Sequence, residues 1–200
     1  MRAFYIARID FFSVKWYTFF GDYMKLKTRE MIECSMFTAI LCIFAPIAVP
    51  VGTVPVTMSL FAVILASVVL GTKKSVITVC VYLLLGLVGV PVYSFFTAGI
   101  QILLGPTGGY LWSYIFVAVI CGWVSEINRN NKCLTFIGVI LSLVLCYICG
   151  TLQFMLVCKT GISEAIGICV APFVVFDFIK AFAAVWIGRK IRIKYISYFS

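Results

Sequence analysis

The sequence predicts an all-α integral membrane protein with six transmembrane helices and both termini in the cytoplasm. Three observations carry that expectation. Of 200 residues, 64% are hydrophobic and only 12% are charged, against about 45–50% and about 25% in an ordinary soluble domain. One soluble core of this size cannot bury such an excess. The apolar runs are also continuous, as spanning helices require, whereas a membrane barrel alternates residue by residue. Finally, the basic residues behind the net charge of +9 are confined to short segments between the runs. That distribution favours membrane topology over nucleic-acid binding.

The elements follow in order. Residues 1–28 mix aromatic and basic side chains, Phe4, Phe11, Trp16 and Phe20 with Arg2, Arg8, Lys15 and Lys25. They read as a basic, aromatic cytoplasmic segment, with an interfacial helix on the inner leaflet. No basic–apolar–small cleavage pattern marks a signal peptide. Met24, followed by Lys25 and Lys27, is a second candidate start, which peptides from residues 2–23 in the mature protein would dispose of. Residues 29–188 hold the membrane domain. Its first span covers 31–49, with Ser35 and Ala39 at small-x-x-x-small spacing and Pro46 and Pro50 at its end. Residues 52–57 read as a turn-rich connector. The second span, 56–70, is short for a hydrocarbon core of about 30 Å.

The third span covers 75–90. Residues 91–109 are glycine-rich yet carry Phe95, Phe96, Ile100, Leu103 and Leu104. Such a segment is expected to fold back over the bundle as a lid or re-entrant stretch. The fourth span is 109–125, the fifth 133–157 and the sixth 166–188. Residues 189–200 are a basic cytoplasmic tail. With this topology 14 of the 16 basic residues lie on one face, Lys159 lies on the other and Lys180 lies inside a span. The positive-inside rule makes the basic face cytoplasmic.

Absences narrow the chemistry. The chain has no histidine, which removes His-based triads, His proton relays and most zinc sites. Nine cysteines lie mostly within apolar runs. Cys146-x-x-Cys149 is one such case, and there cysteine packs as a small hydrophobe.

Two constellations stand out. Asp177 and Lys180 sit three apart in the last apolar run. Each charge at membrane depth costs about 2.5–3.5 kcal/mol on insertion scales, so the pair is a functional-site hypothesis. On a helix wheel Asp177, Lys180, Ala181, Ala184 and Gly188 share a face, which turns the pair into the bundle. With the last span running outside to inside, Asp177 falls about 8 Å past Pro172 and Lys180 about 4.5 Å deeper. A ligand bearing a carboxylate and amide-like N–H groups would use both charges. The structural alternative is an internal ion pair, although such pairs rarely repay their desolvation in stability alone. The second constellation is Gly105-Pro106-Thr107-Gly108-Gly109-Tyr110 at the entry to the fourth span. Its backbone N–H groups are candidates to face a ligand, with Tyr110 and Trp112 as walls. Fixed backbone geometry is the plain alternative. A Walker loop is excluded by the missing Lys-Ser/Thr ending.

Together with Val54-Pro55-Val56-Thr57 after the first span, these features resemble the BioY family, the biotin-binding S components of energy-coupling factor (ECF) vitamin transporters. The resemblance covers residues 30–188. It implies an S-component fold with a biotin pocket near the extracellular face, in a multi-pass protein of a bacterial-type cytoplasmic membrane. Asp177 and Lys180 match the family's ligand-binding acid and lysine. Asp177 would then meet the ureido N–H groups of biotin and Lys180 its carboxylate, so desthiobiotin is expected to be tolerated better than biotinamide. Gly105, Thr107, Gly108, Gly109 and Tyr110 are candidate substrate contacts, with Thr97 or Gln101 for a ureido contact. Ser59 stands where relatives carry another polar residue. The resemblance further implies docking through Ser35 and Ala39 on a transmembrane coupling protein with two ATPases, or a solitary or self-associated chain. Biotin is substrate; no cofactor or nucleic acid is implied. The remaining readings are an S component for another carboxylate-bearing vitamin, a structural membrane protein with a buried ion pair, and an intramembrane enzyme. The last is disfavoured because the chain has no histidine and no cluster of acids within its spans.

Overall fold

The computed structural model describes residues 27–51, 54–127, 132–170 and 173–199. The helix expected within 1–28 therefore lies outside the described residues, apart from 27–28. The chain divides into two compact units, Met1–Glu33 and Cys34–Ser200. In the first, Lys27 N–H donates to Glu30 (3.0 Å) and Arg29 pairs with Glu33 (3.0 Å).

Helix α1 (Thr28–Phe44) ends just before Pro46. Strands β1 (Ala48–Val51) and β2 (Val54–Thr57) then form an antiparallel hairpin with Val49 opposite Val56 and Pro50 opposite Pro55. This corrects the turn-rich connector read over 52–57, of which 54–57 are β2. Two prolines argue against a strand because neither can donate to the ladder. Here they face each other, and the alternation of antiparallel pairing lets both occupy a position that needs no donor.

Helix α2 (Ser59–Leu70) starts later than the span expected from 56. At 1.5 Å per residue it is only about 18 Å long. Every residue in it except Phe61 is buried. A helix apolar on all sides belongs at the centre of a bundle, and α2 packs against the three helices named next as α3, α5 and α8. It turns into α3 (Thr72–Val88) at the single residue Gly71, whose φ of +80° favours glycine. Glu126 holds that junction, accepting from the Thr72 N–H and hydroxyl at 2.9 Å each.

Helix α3 ends at Gly89, φ +107°, with Val90 N–H returning to Leu85 O at 3.0 Å. This left-handed close suits glycine. The connector then folds back along α3. Tyr93 donates to Leu83 O (2.8 Å), Tyr82 donates to Val92 O (3.2 Å), and the two rings meet edge to face at 5.7 Å. Burial pushes the Tyr93 hydroxyl up to about 12, so it stays a donor at neutral pH. Phe95 N–H donates to Pro46 O at 3.2 Å, tying the connector to the end of α1.

Short α4 (Ile100–Leu104) leads to α5 (Gly108–Ile127), which lies along α6 (Lys132–Cys158). A Cβ on Gly109 would collide with Cys149 O, and one on Gly108 with Leu103 O. Close backbone approach therefore requires glycine at both positions. In lipid, helices associate through such packing rather than through the hydrophobic effect. Gly109→Val is expected to lower thermal stability in detergent by about 1–3 kcal/mol or more. Gly167→Ala, whose new Cβ meets nothing, is the control expected to leave the melting temperature unchanged or raise it.

The sixth span expected over 166–188 is two helices. Helix α7 (Ile162–Cys169) stops before the stretch containing Pro172, and α8 runs Val174–Phe199, so the helix continues through most of the expected tail. Helix α8 packs on α2 through Gly188, where a Cβ would sit 3.0 Å from Val68. Among the described residues, α5 and residues 133–158 of α6 are long and apolar enough to cross a membrane.

Candidate functional site

A cavity with about 700 Å³ of atom-free space, partly open to the outside, lies where β2, the connector and the first turns of α2, α5 and α8 converge on α6. Val54, Val56, Leu60, Leu111, Leu143 and Phe173 supply apolar wall, and Thr57, Ser59, Ser94, Thr107, Tyr110, Tyr114, Tyr147 and Asp177 supply polar atoms.

Among the described residues, Asp177 is the one charged residue lining the cavity, and it is 7% exposed. Because α8 begins at Val174, Asp177 lies in a first helical turn, where the helix dipole favours a carboxylate. Both oxygens are engaged. Oδ2 accepts from the Tyr147 hydroxyl at 2.7 Å, and Oδ1 from Lys180 Nζ at 3.3 Å. Lys180 also donates to Thr57 O at 2.9 Å, which ties the last helix to the hairpin. The buried charges are thus paired and hydrogen-bonded, the condition under which burial is tolerable.

A second polar group faces the same space. Thr57 Oγ1, Ser59 Oγ and the Tyr114 hydroxyl form a chain, with Ser59 and Tyr114 at 2.6 Å. Three hydroxyls carry three protons, and the two internal bonds use two of them. One proton is left to donate to a carbonyl on a ligand. The site therefore offers acceptors at one place, a spare donor at another, and a cation beside Thr57.

Of the residues singled out in sequence, Asp177, Thr107 and Tyr110 line the cavity, and Lys180 reaches it through Asp177 and Thr57. Gly105, Gly108 and Gly109 do not line it. The N–H groups of Gly105, Gly108 and Tyr110 are taken by the carbonyls of Ile102, Gly105 and Thr107. The carbonyls of Leu103 and Gly105 are in turn held by Gln153 Nε2 at 2.8 and 2.9 Å. The motif thus shapes a turn and a helix crossing and presents side chains, Thr107 and Tyr110, to the cavity. Thr97 donates to Ser94 O at 2.8 Å, and exposed Gln101 donates to Ala98 O at 3.0 Å; neither lines the cavity. Trp112 donates to Leu103 O at 3.3 Å instead of lining it. Ser35, Ala39 and Ile43 are exposed on one face of α1. All nine cysteines are free thiols, and Cys146 accepts from Ser113 at 2.9 Å.

Tyr147, Tyr114 and Thr57 carry the polar contacts that sequence reading missed. Tyr147 leaves no distinct signal, since a tyrosine within an apolar run reads equally well as a belt residue.

The model of a family described as the BioY family matches residues 21–196. The chain is 37% identical over 166 residues to the biotin transporter BioY of Thermotoga maritima, covering 82% of this chain and 96% of that protein. It is 33% identical over 167 residues to a probable biotin transporter BioY of Pyrococcus horikoshii, covering 84% and 98%. Among solved structures, it superposes on the crystal structure of the S-component for biotin from an ECF-type ABC transporter. The TM-score is 0.76 at 25% identity, over 82% of this chain and 90% of the other.

Proposed function

The chain belongs to the BioY family, and from that premise we propose that it binds biotin in the cavity at Asp177 and carries it into the cell. It acts as the substrate-binding S component of a transporter and not as an enzyme. One observation carries the reading: a buried acid, paired with a lysine, stands at the wall of an otherwise apolar and hydroxyl-lined cavity. Biotin has the matching parts. Its ureido N–H groups donate to Asp177, its ureido carbonyl accepts the spare proton of the Thr57–Ser59–Tyr114 chain, and its carboxylate pairs with Lys180. Its apolar ring and side chain lie along Val54, Leu143 and Phe173.

The six membrane passages are α1, α2, α3, α5, α6 and α8, with cytoplasmic termini and the cavity toward the outer face. The concentration of basic residues at the opposite ends of these helices supports that orientation. The chain lies in the cytoplasmic membrane with its exposed apolar faces against lipid. The exposed Ser35 and Ala39 face of α1 is the proposed docking surface for a transmembrane coupling protein and its two ATPases.

A second reading has an observation of its own. Lys180 and Asp177 are both satisfied by protein groups, as a purely structural ion pair would be. Titration of labelled biotin onto the detergent-purified chain tests the first reading. Tight, saturable binding is expected, displaced by desthiobiotin and not by other carboxylate-bearing vitamins. No saturable binding of biotin would sink it.

A further inference from the structure

We propose that Ser94 is a specificity-determining residue of this pocket: its hydroxyl donates to an acceptor oxygen of the bound ligand. The inference rests on the biotin reading above and adds a contact from the connector between α3 and α4.

The connector presents one side chain to the cavity. Of residues 91–104, Ser94 alone lines it. The turn that carries Ser94 is strained. The two residues after it, Phe95 and Phe96, have φ of +56° and +58°, a left-handed conformation in which bulky side chains are outliers. Core packing does not account for them, because the two residues are 49% and 71% exposed. Hydrogen bonds hold the turn in place. Tyr93 N–H donates to Thr97 O at 3.0 Å, Phe96 N–H to Tyr93 O at 3.1 Å, and the Thr97 hydroxyl to Ser94 O at 2.8 Å. Phe95 N–H reaches Pro46 O at 3.2 Å. Strained conformations persist where their surroundings over-determine them, and they cluster at ligand sites. Here the bonds that enforce the strain also fix the backbone on both sides of Ser94.

The Ser94 hydroxyl itself is uncommitted. Ser94 O accepts from Thr97, but the hydroxyl has no hydrogen-bond partner among the described residues. A serine hydroxyl has one proton to give, so the connector offers the cavity a donor that no protein group uses. Thr107 brings a second such hydroxyl, one already singled out in the sequence. Biotin has room for these donors. A carbonyl oxygen has two lone pairs, and a carboxylate has about four acceptor positions. One proton from the Thr57–Ser59–Tyr114 chain and one from Lys180 fill only part of them. In a largely apolar cavity each further donor that meets such an oxygen adds affinity. A ligand without that oxygen gains nothing from Ser94, which is how a single hydroxyl discriminates.

The test sets three ligands against three proteins, the purified full chain and its Ser94→Ala and Ser94→Cys variants. The ligands are biotin, its thiourea analogue, in which sulfur is a weak acceptor in place of the ureido oxygen, and the analogue whose carboxylate is replaced by a methyl group. Competition against labelled biotin reads weak analogues as well as strong ones. Both variants are expected to weaken biotin about 10-fold. Cysteine keeps the volume and loses the strong donor, so the loss is not one of packing. The ligand-free melting temperature stays unchanged, because the hydroxyl bonds no protein group. For the analogue that lacks the oxygen Ser94 meets, the effect of Ser94→Ala shrinks to about twofold or less. Shrinkage with the thiourea assigns the ureido oxygen, and shrinkage with the methyl analogue assigns the carboxylate. Unchanged biotin affinity in both variants overturns the proposal. So does an equal loss for all three ligands, because Ser94 then acts on the pocket and not on a ligand oxygen. Wild-type protein that does not bind biotin sinks the biotin reading itself, a result separable from the other two.

Discussion

Replacing the pair together, Asp177→Leu with Lys180→Met, is expected to give a protein that folds as well as the wild type and no longer binds biotin. The two charges are buried against each other at 3.3 Å. Exchanging such a pair for apolar groups of similar volume is commonly neutral or stabilising by about 1–4 kcal/mol, since the desolvation of both ions disappears. Two hydrogen-bonding groups lose partners in the exchange, the Tyr147 hydroxyl and the Thr57 carbonyl. Each costs about 1–3 kcal/mol if left dry, which offsets that gain. The net change in melting temperature is therefore small. Ligand binding loses its only charged contacts and falls beyond detection. Thermal melting and biotin titration on the same preparation decide the matter. Unaltered biotin affinity in the double variant would establish that the pair is structural and that the site lies elsewhere.

Lys180→Met alone is expected to be worse for the fold and more informative about the ligand. It leaves the Asp177 carboxylate buried with Tyr147 as its remaining side-chain partner. Breaking one half of a buried pair costs about 3–5 kcal/mol. The first-turn position of Asp177 on α8 puts the expected loss at the lower end of that range. Wild-type protein is expected to prefer biotin over biotinamide, because only the acid presents a carboxylate to the ammonium. Losing a charge-assisted bond in a buried site corresponds to about 2–5 kcal/mol, so the preference spans at least one order of magnitude. In the variant the two ligands bind alike. Equal binding of both by the wild type would remove Lys180 from carboxylate recognition.

The chemistry of the site was partly legible because charge is conspicuous in an apolar chain. Asp177 and Lys180 announce themselves by their cost, and the small residues beneath them indicate a buried face. Tyr147 does not, since a tyrosine in an apolar helix reads equally well as a belt residue. Its role comes from a contact thirty positions away in sequence. The glycine motif was legible as a place of constraint and not in its purpose. Its glycines admit Cys149 and Leu103 backbone, and its N–H groups close turns on themselves. The hairpin was hidden because proline weighs against a strand, and only the pairing of Pro50 with Pro55 removes the objection.

By itself, then, the sequence determined a helical membrane protein, most of its helix positions, and the acid and lysine on which its chemistry turns. These follow from composition, run length and the energetic cost of charge, which are properties of segments. Only the tertiary structure decided that α2 is the buried centre, that a new helix begins at Val174 with Asp177 in its first turn, and that Lys180 reaches across to Thr57. It also decided which hydroxyls complete the site. The physical reason is common to all four. Each depends on which distant segment fills the space beside a residue, and a hydrogen bond formed across more than a hundred residues leaves no mark on the local pattern of either partner.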